Sequence, residues 1–145
     1  MYTVEQLFAF MKENDASDLY ITVGRPPCFR ISGSVRPAGN VVLTPEMTQD
    51  LANALMTPEQ REEFKQKKEQ NLAVAMRELG SRFRVNLYVQ QGCTAMVIRK
   101  IESKIKCLED LGVPEVLSTI SMEKRGLVLV VGATGSGKST TLAGM

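Results

Sequence analysis

The stretch GLVLVVGATGSGKSTTLAGM (126–145) limits the fold more tightly than any other part of the sequence. A near-continuous β-branched and aliphatic run bounded by glycines belongs to a parallel strand buried on both faces. The residues after it, Gly132-Ala133-Thr134-Gly135-Ser136-Gly137-Lys138-Ser139, complete the pattern G-x-x-x-x-G-K-[ST]. That pattern needs a strand before it and a helix after it. The sequence therefore predicts a strand over 126–132, a phosphate-gripping loop, and a helix opening near Lys138.

Each position of the loop has a physical task. Polyphosphate is densely anionic, so backbone N–H donors must approach it closely, and glycines at 132, 135 and 137 keep side chains out of the way. A helix start aims its positive dipole end at the anion. Lys138 supplies a mobile point charge, and Ser139 offers a hydroxyl to Mg²⁺ bridging the same phosphates. Gly132, Ala133, Thr134, Gly135, Ser136, Gly137, Lys138, Ser139 and Thr140 are the candidate nucleotide-binding residues, with ATP and Mg²⁺ as the implied ligands. Hydrolysis needs more: an acidic residue on Mg²⁺ from another strand, and a group that positions the attacking water. The sequence after Met145 would have to supply them, so no catalytic residue is assigned. The chain is expected to be the N-terminal part of a longer ATPase and to hydrolyse no ATP alone.

The first hundred residues have a different pattern. Thr3 and Gln6 have capping-box spacing ahead of Val4, Leu7, Phe8 and Met11, which predicts a helix over 4–14. DLYITV (18–23) reads as a strand, and CFRIS and SVRPA as a hairpin around Gly33. Thr44-Pro45 and Thr57-Pro58 open two helices, 45–56 and 58–69. Three more strands follow at 71–77, 82–91 and 94–101. The middle one alternates Phe83, Val85, Leu87 and Val89 against Arg82, Arg84, Asn86 and Tyr88, as in an antiparallel sheet with one buried face. Residues 1–100 form an α+β domain, 101–125 a linker with short helices at 108–111 and 114–121, and 126–145 the start of a second domain.

Arg82 and Arg84 share the polar face of their strand. Arginines from another domain or subunit often stabilise charge on a γ-phosphate, which makes them candidate phosphate-sensing groups. Arg99 joins them only if the QQGC turn sets the right register. The competing reading is a surface ladder paired with Glu78 or Glu102. Lys65, Lys67 and Lys68 sit among Glu62, Glu63 and Glu69 and read as a solvated helix face. Phe10, on the first helix, reads as core or as a contact for a partner.

Bulk properties narrow the class. A net charge of +2 gives no electrostatic case for nucleic acid. The sequence has three widely spaced cysteines and no histidine, which argues against a zinc site or a Cys–His nucleophile and suits a reducing compartment. No apolar run approaches the roughly 20 residues of a bilayer span, and the N-terminus lacks the basic start of a signal peptide. A cytoplasmic location is expected.

With these residues in hand, the chain resembles the secretion ATPases of type IV pili and type II secretion, closest to the pilus retraction motors. The likeness lies in ASDLYITVGRPP, RFRVNLYVQQ, VIRKIESKI and KRGLVLVVGATGSGKSTTLAGM. Ala133 and RKIE lean toward PilU-like members, since PilT-like members usually carry proline at the Ala133 position. The resemblance implies a PAS-like N-terminal domain, a hinge-like linker and a RecA-like ATPase domain in a homo-hexameric ring, with Arg82, Arg84 and Arg99 facing nucleotide phosphate. It also implies a place at the cytoplasmic side of the inner membrane, with a retraction-motor paralogue and a pilus platform protein as partners. Two other readings are a non-catalytic PAS-like oligomerisation or interaction module, and the N-terminal region of a type II secretion or pilus assembly ATPase.

Overall fold

The computed structural model describes residues 2–101, 106–133 and 136–145. Thr134 and Gly135 of the expected loop, and Glu102 of the expected ladder, lie outside the described residues. The chain divides into two compact units, Met1–Ile101 and Glu102–Met145.

The first unit is α+β. Helix α1 (Val4–Glu13) starts at Thr3, whose hydroxyl accepts from the Gln6 amide while the Gln6 side chain accepts from the Thr3 amide. Strands β1 (Asp18–Ile21), β2 (Cys28–Ile31) and β3 (Ser34–Pro37) follow. Helices α2 (Pro45–Leu55) and α3 (Pro58–Lys67) each have a threonine cap and a proline in the first turn. Proline is tolerated there because the first amides of a helix have no intrahelical partner. Lys68 takes a left-handed conformation that ends α3, and β4 (Glu69–Met76) begins at once, two residues earlier than the pattern predicts. Strands β5 (Ser81–Gln90) and β6 (Cys93–Ile101) complete a six-stranded antiparallel sheet of order β3-β2-β1-β6-β5-β4.

One face of the sheet is the core. Phe83, Val85 and Leu87 on β5 and Ile98 on β6 are buried, and β1 adds Leu19 and Ile21. Helix α1 lays Val4, Leu7, Phe8 and Met11 on this face, and Phe8 stacks on Phe83 with ring centroids 4.2 Å apart. Phe10 packs against Phe29 at 4.5 Å, so it belongs to the core cluster's edge. The opposite face carries Arg82, Arg84 and Asn86, all exposed.

The second unit differs from expectation at two places. Residues 108–111 form a hydrogen-bonded turn, not a helix: the Leu111 amide donates to the carbonyls of Cys107 and Leu108, both at 3.2 Å. Helix α4 (Val116–Ser121) matches the second predicted helix in place but is shorter. The run 126–132, expected as a buried strand, forms no strand: Leu127, Leu129 and Val131 are 83, 74 and 84% exposed. A strand exists only through a hydrogen-bonded neighbour, and among the described residues no segment of this unit pairs with it. Helix α5 (Lys138–Gly144) does form after the loop. Its Gly144 sits so close to the 106–111 segment that an added Cβ would lie 3.0 Å from the Lys106 carbonyl oxygen.

Candidate functional site

Loop geometry follows from its glycines. Gly137 is left-handed (φ +89°) at the N-cap of α5, a backbone state that L side chains rarely adopt. At Gly132 an added Cβ would come within 2.7 Å of the Ser136 hydroxyl, so the loop closes tightly on itself. The Ser136 amide donates to the Ala133 carbonyl at 3.2 Å. Lys138 folds back across this turn, and its ammonium donates to the carbonyls of Gly132 (2.8 Å) and Ala133 (2.7 Å). Both acceptors are neutral, whereas a phosphate oxygen would add an opposite charge to the attraction felt by the same ammonium. The arrangement therefore suits exchange: the same ammonium can leave two carbonyls for phosphate. Ser139 and Thr140 lie in the first turn of α5, exposed.

The arginines lie in the first unit, where pairing settles their register. Gln91 (φ +51°) and Gly92 (φ +76°) make a two-residue turn between β5 and β6, the left-handed pair that matches strand twist in a hairpin. Arg84 then stands directly opposite Arg99, while Arg82 stands opposite Ile101. A single row crosses all six strands: Ala73, Arg84, Arg99, Asp18, Arg30, Val35. Like charges facing each other across strands are destabilising. Asp18 offsets this, with its carboxylate 2.9 Å from Arg99 Nε and 3.3 Å from Arg30 Nε. Arg30 also donates to the Tyr20 hydroxyl through Nη2 at 2.6 Å, and that contact, then Asp18, raises its pKa above the usual arginine value.

The expected ladder with Glu78 does not form; among the described residues Arg82 and Arg84 have no ion-pair partner, and Arg99 pairs with Asp18 instead. A hollow of about 350 Å³ on this face is lined by Asn71, Arg84, Asn86, Tyr88, Val97 and Arg99. A larger cleft of about 600 Å³ lies beside α2, α3 and the β5–β6 turn. Its polar side chains bond one another, Thr94 to Gln49 at 2.7 Å and Gln49 to Asn53 at 3.0 Å. Cys107 is exposed, and its thiol is pushed up by its hydrogen bond to Asp110, which makes it a poor nucleophile.

The profile of the Type II/IV secretion system protein family matches residues 3–145. The chain belongs to that family. Among curated relatives of this secretion family, the type IV pilus ATPase PilU of Pseudomonas aeruginosa is 44% identical over 141 residues, 97% of the chain and 37% of the relative. The type IV pilus retraction ATPase PilT of the same organism is 39% identical over 98% of the chain and 41% of its own length. The crystal structure of the pilus retraction motor PilT with bound ADP superimposes with a TM-score of 0.83 at 31% identity, covering all of this chain and 42% of that one. The Legionella pneumophila ATPase DotB gives 0.82 at 25% identity, covering 97% of this chain and 40% of that one. The chain thus spans about two-fifths of the length of these relatives.

The sequence points to the loop and the three arginines but not to Asp18 as their partner. Alternation in DLYI places Asp18 and Tyr20 on the polar face against Leu19 and Ile21, and that signal was legible. Which strand lies next to β1 was not, because β1 and β6 are about eighty residues apart in sequence.

Proposed function

We propose that this chain is the nucleotide-gripping N-terminal region of an ATP-driven motor for type IV pilus retraction. Gly132 to Thr140 hold the phosphates of ATP, with Lys138 on their oxygens and the Ser139 hydroxyl on Mg²⁺, which when bound neutralises phosphate charge. Arg82, Arg84 and Arg99 face phosphate from the N-terminal sheet. Residues 1–100 act as a PAS-like domain, 101–125 as a linker and 126–145 as the start of a RecA-like ATPase domain. The working assembly is a homo-hexamer at the cytoplasmic side of the inner membrane. Among the described residues no helix is long and apolar enough to cross a membrane.

The observation that carries this reading is the Lys138 ammonium resting on the Gly132 and Ala133 carbonyls. The relatives' printed descriptions, a pilus ATPase and a retraction motor with bound ADP, supply the ligand class. Calorimetric titration of the chain with Mg·ATP tests it. Lys138→Ala is expected to weaken binding about tenfold or more, equivalent to about 1.4 kcal/mol or more. Equal affinity in both proteins would reject the reading.

A further inference from the structure

We infer that the cleft of about 600 Å³ beside α2, α3 and the β5–β6 turn is a docking site for an acidic segment of a partner protein, one that sets an apolar side chain next to a carboxylate. The inference stands apart from the nucleotide proposal, since no residue lining the cleft belongs to the loop or to the arginine face. Its polar wall is a chain of hydrogen bonds with a direction. The Thr94 hydroxyl donates to Gln49 Oε1 at 2.7 Å, and Gln49 Nε2 donates to Asn53 Oδ1 at 3.0 Å. Gln49 and Asn53 are one turn apart on α2, so helix spacing builds the second link. Asn53 Nδ2 is the open end of the chain, without a partner among the described residues. An amide whose oxygen is occupied can only give, so this end of the cleft selects an acceptor.

Charge points the same way. Arg61 lays Nε and Nη2 on the Asn53 carbonyl at 3.2 and 2.6 Å, which fixes its guanidinium at the cleft while leaving its charge unmatched, because the acceptor is neutral. Lys68, which ends α3, also lines the cleft and has no ion pair among the described residues. Glu62 is the one carboxylate in the lining, and Lys65 takes it at 2.6 Å. The surplus is positive, and complementary charge favours an acidic partner. The floor is apolar: Met56 and Phe64 are buried beneath the cleft, and Val89 beside them is 37% exposed. A bare inorganic anion would leave this floor wet, whereas an apolar side chain next to the carboxylate covers it. Gly92 borders the cleft with open space where a Cβ would stand, so the turn does not close the rim. Small-molecule sites enclose most of their ligand. A trough open along one side instead accepts an extended segment that enters and leaves it.

A random-peptide library displayed on phage, selected on the 145-residue chain, tests this. Recovered peptides are expected to carry glutamate or aspartate beside leucine, isoleucine or phenylalanine. A synthetic peptide of the recovered sequence is expected to shift the Asn53 side-chain amide and the Gly92 backbone amide in NMR spectra. It is expected to bind Lys68→Glu about tenfold more weakly. Lys68 is exposed and its side chain makes no hydrogen bond or ion pair among the described residues, so this variant is expected to fold as the parent does. Replacing the peptide's acidic residues by their amides is expected to weaken binding by a similar factor, with the protein unchanged. Recovery of basic or uncharged peptides, or of none, overturns the inference. So do shifts confined to other surfaces, equal affinity for Lys68→Glu, or displacement of the peptide by inorganic phosphate at the same concentration. The Lys138→Ala chain is expected to bind the peptide as the parent does, so failure of the nucleotide proposal reads out separately.

Discussion

Phe8 joins α1 to the sheet. Its ring is fully buried, and it stacks on a fully buried Phe83, so truncation removes an aromatic pair and leaves a cavity. Phe8→Ala is expected to cost about 3–5 kcal/mol in urea denaturation. A loss below about 1 kcal/mol would mean that α1 docks on the sheet weakly. Residues of this type were legible in the sequence: Val4, Leu7, Phe8 and Met11 share one helical face by spacing alone, and all four are buried. The ion pairs of Asp18 are not legible in this way, because its partners Arg30 and Arg99 come from different strands and only the folded register brings them together. For the loop, the sequence names the residues but not the resting bonds of Lys138, which depend on where two carbonyls turn.

At the scale of elements, the first turns of the capped helices are expected to contribute to the acid response. Glu46 and Glu59 occupy the first turns of α2 and α3, and each has its pKa lowered, first by its own backbone amide and next by the hydroxyl of Thr44 or Thr57. A lowered carboxyl contributes stability above its unfolded value, here 4.5, and loses it as pH falls through the folded value. Helicity and denaturation midpoint are therefore expected to drop below about pH 4.5, with a shallower drop in a Glu46→Gln/Glu59→Gln double variant. Identical acid profiles would show that these carboxylates do not help hold the helix starts. Elements with local signals, such as a Thr-Pro start or alternation along β5, were readable. The run 126–132 reads as a strand yet forms none, because its composition describes where it can be buried, while its hydrogen bonds depend on a neighbouring strand.

The whole molecule has its cooperative core in the first unit. The antiparallel sheet and three helices lie within Met1–Ile101, and nearly all the buried hydrophobic side chains lie there too; Leu108 is the one outside it among the described residues. A fragment of residues 1–101 is expected to unfold in a single cooperative transition, with a midpoint close to that of the 145-residue chain. A fragment that melts gradually would show that the remaining residues are needed to complete the core. The two rims of the sheet are unequal. On one side β3 offers four residues ending in Pro37, which has no amide hydrogen to share. On the other, β4 presents eight residues and no further strand beyond it among the described ones. Any strand-to-strand pairing between copies in concentrated samples is expected beyond β4, and a proline placed in that rim is expected to suppress it.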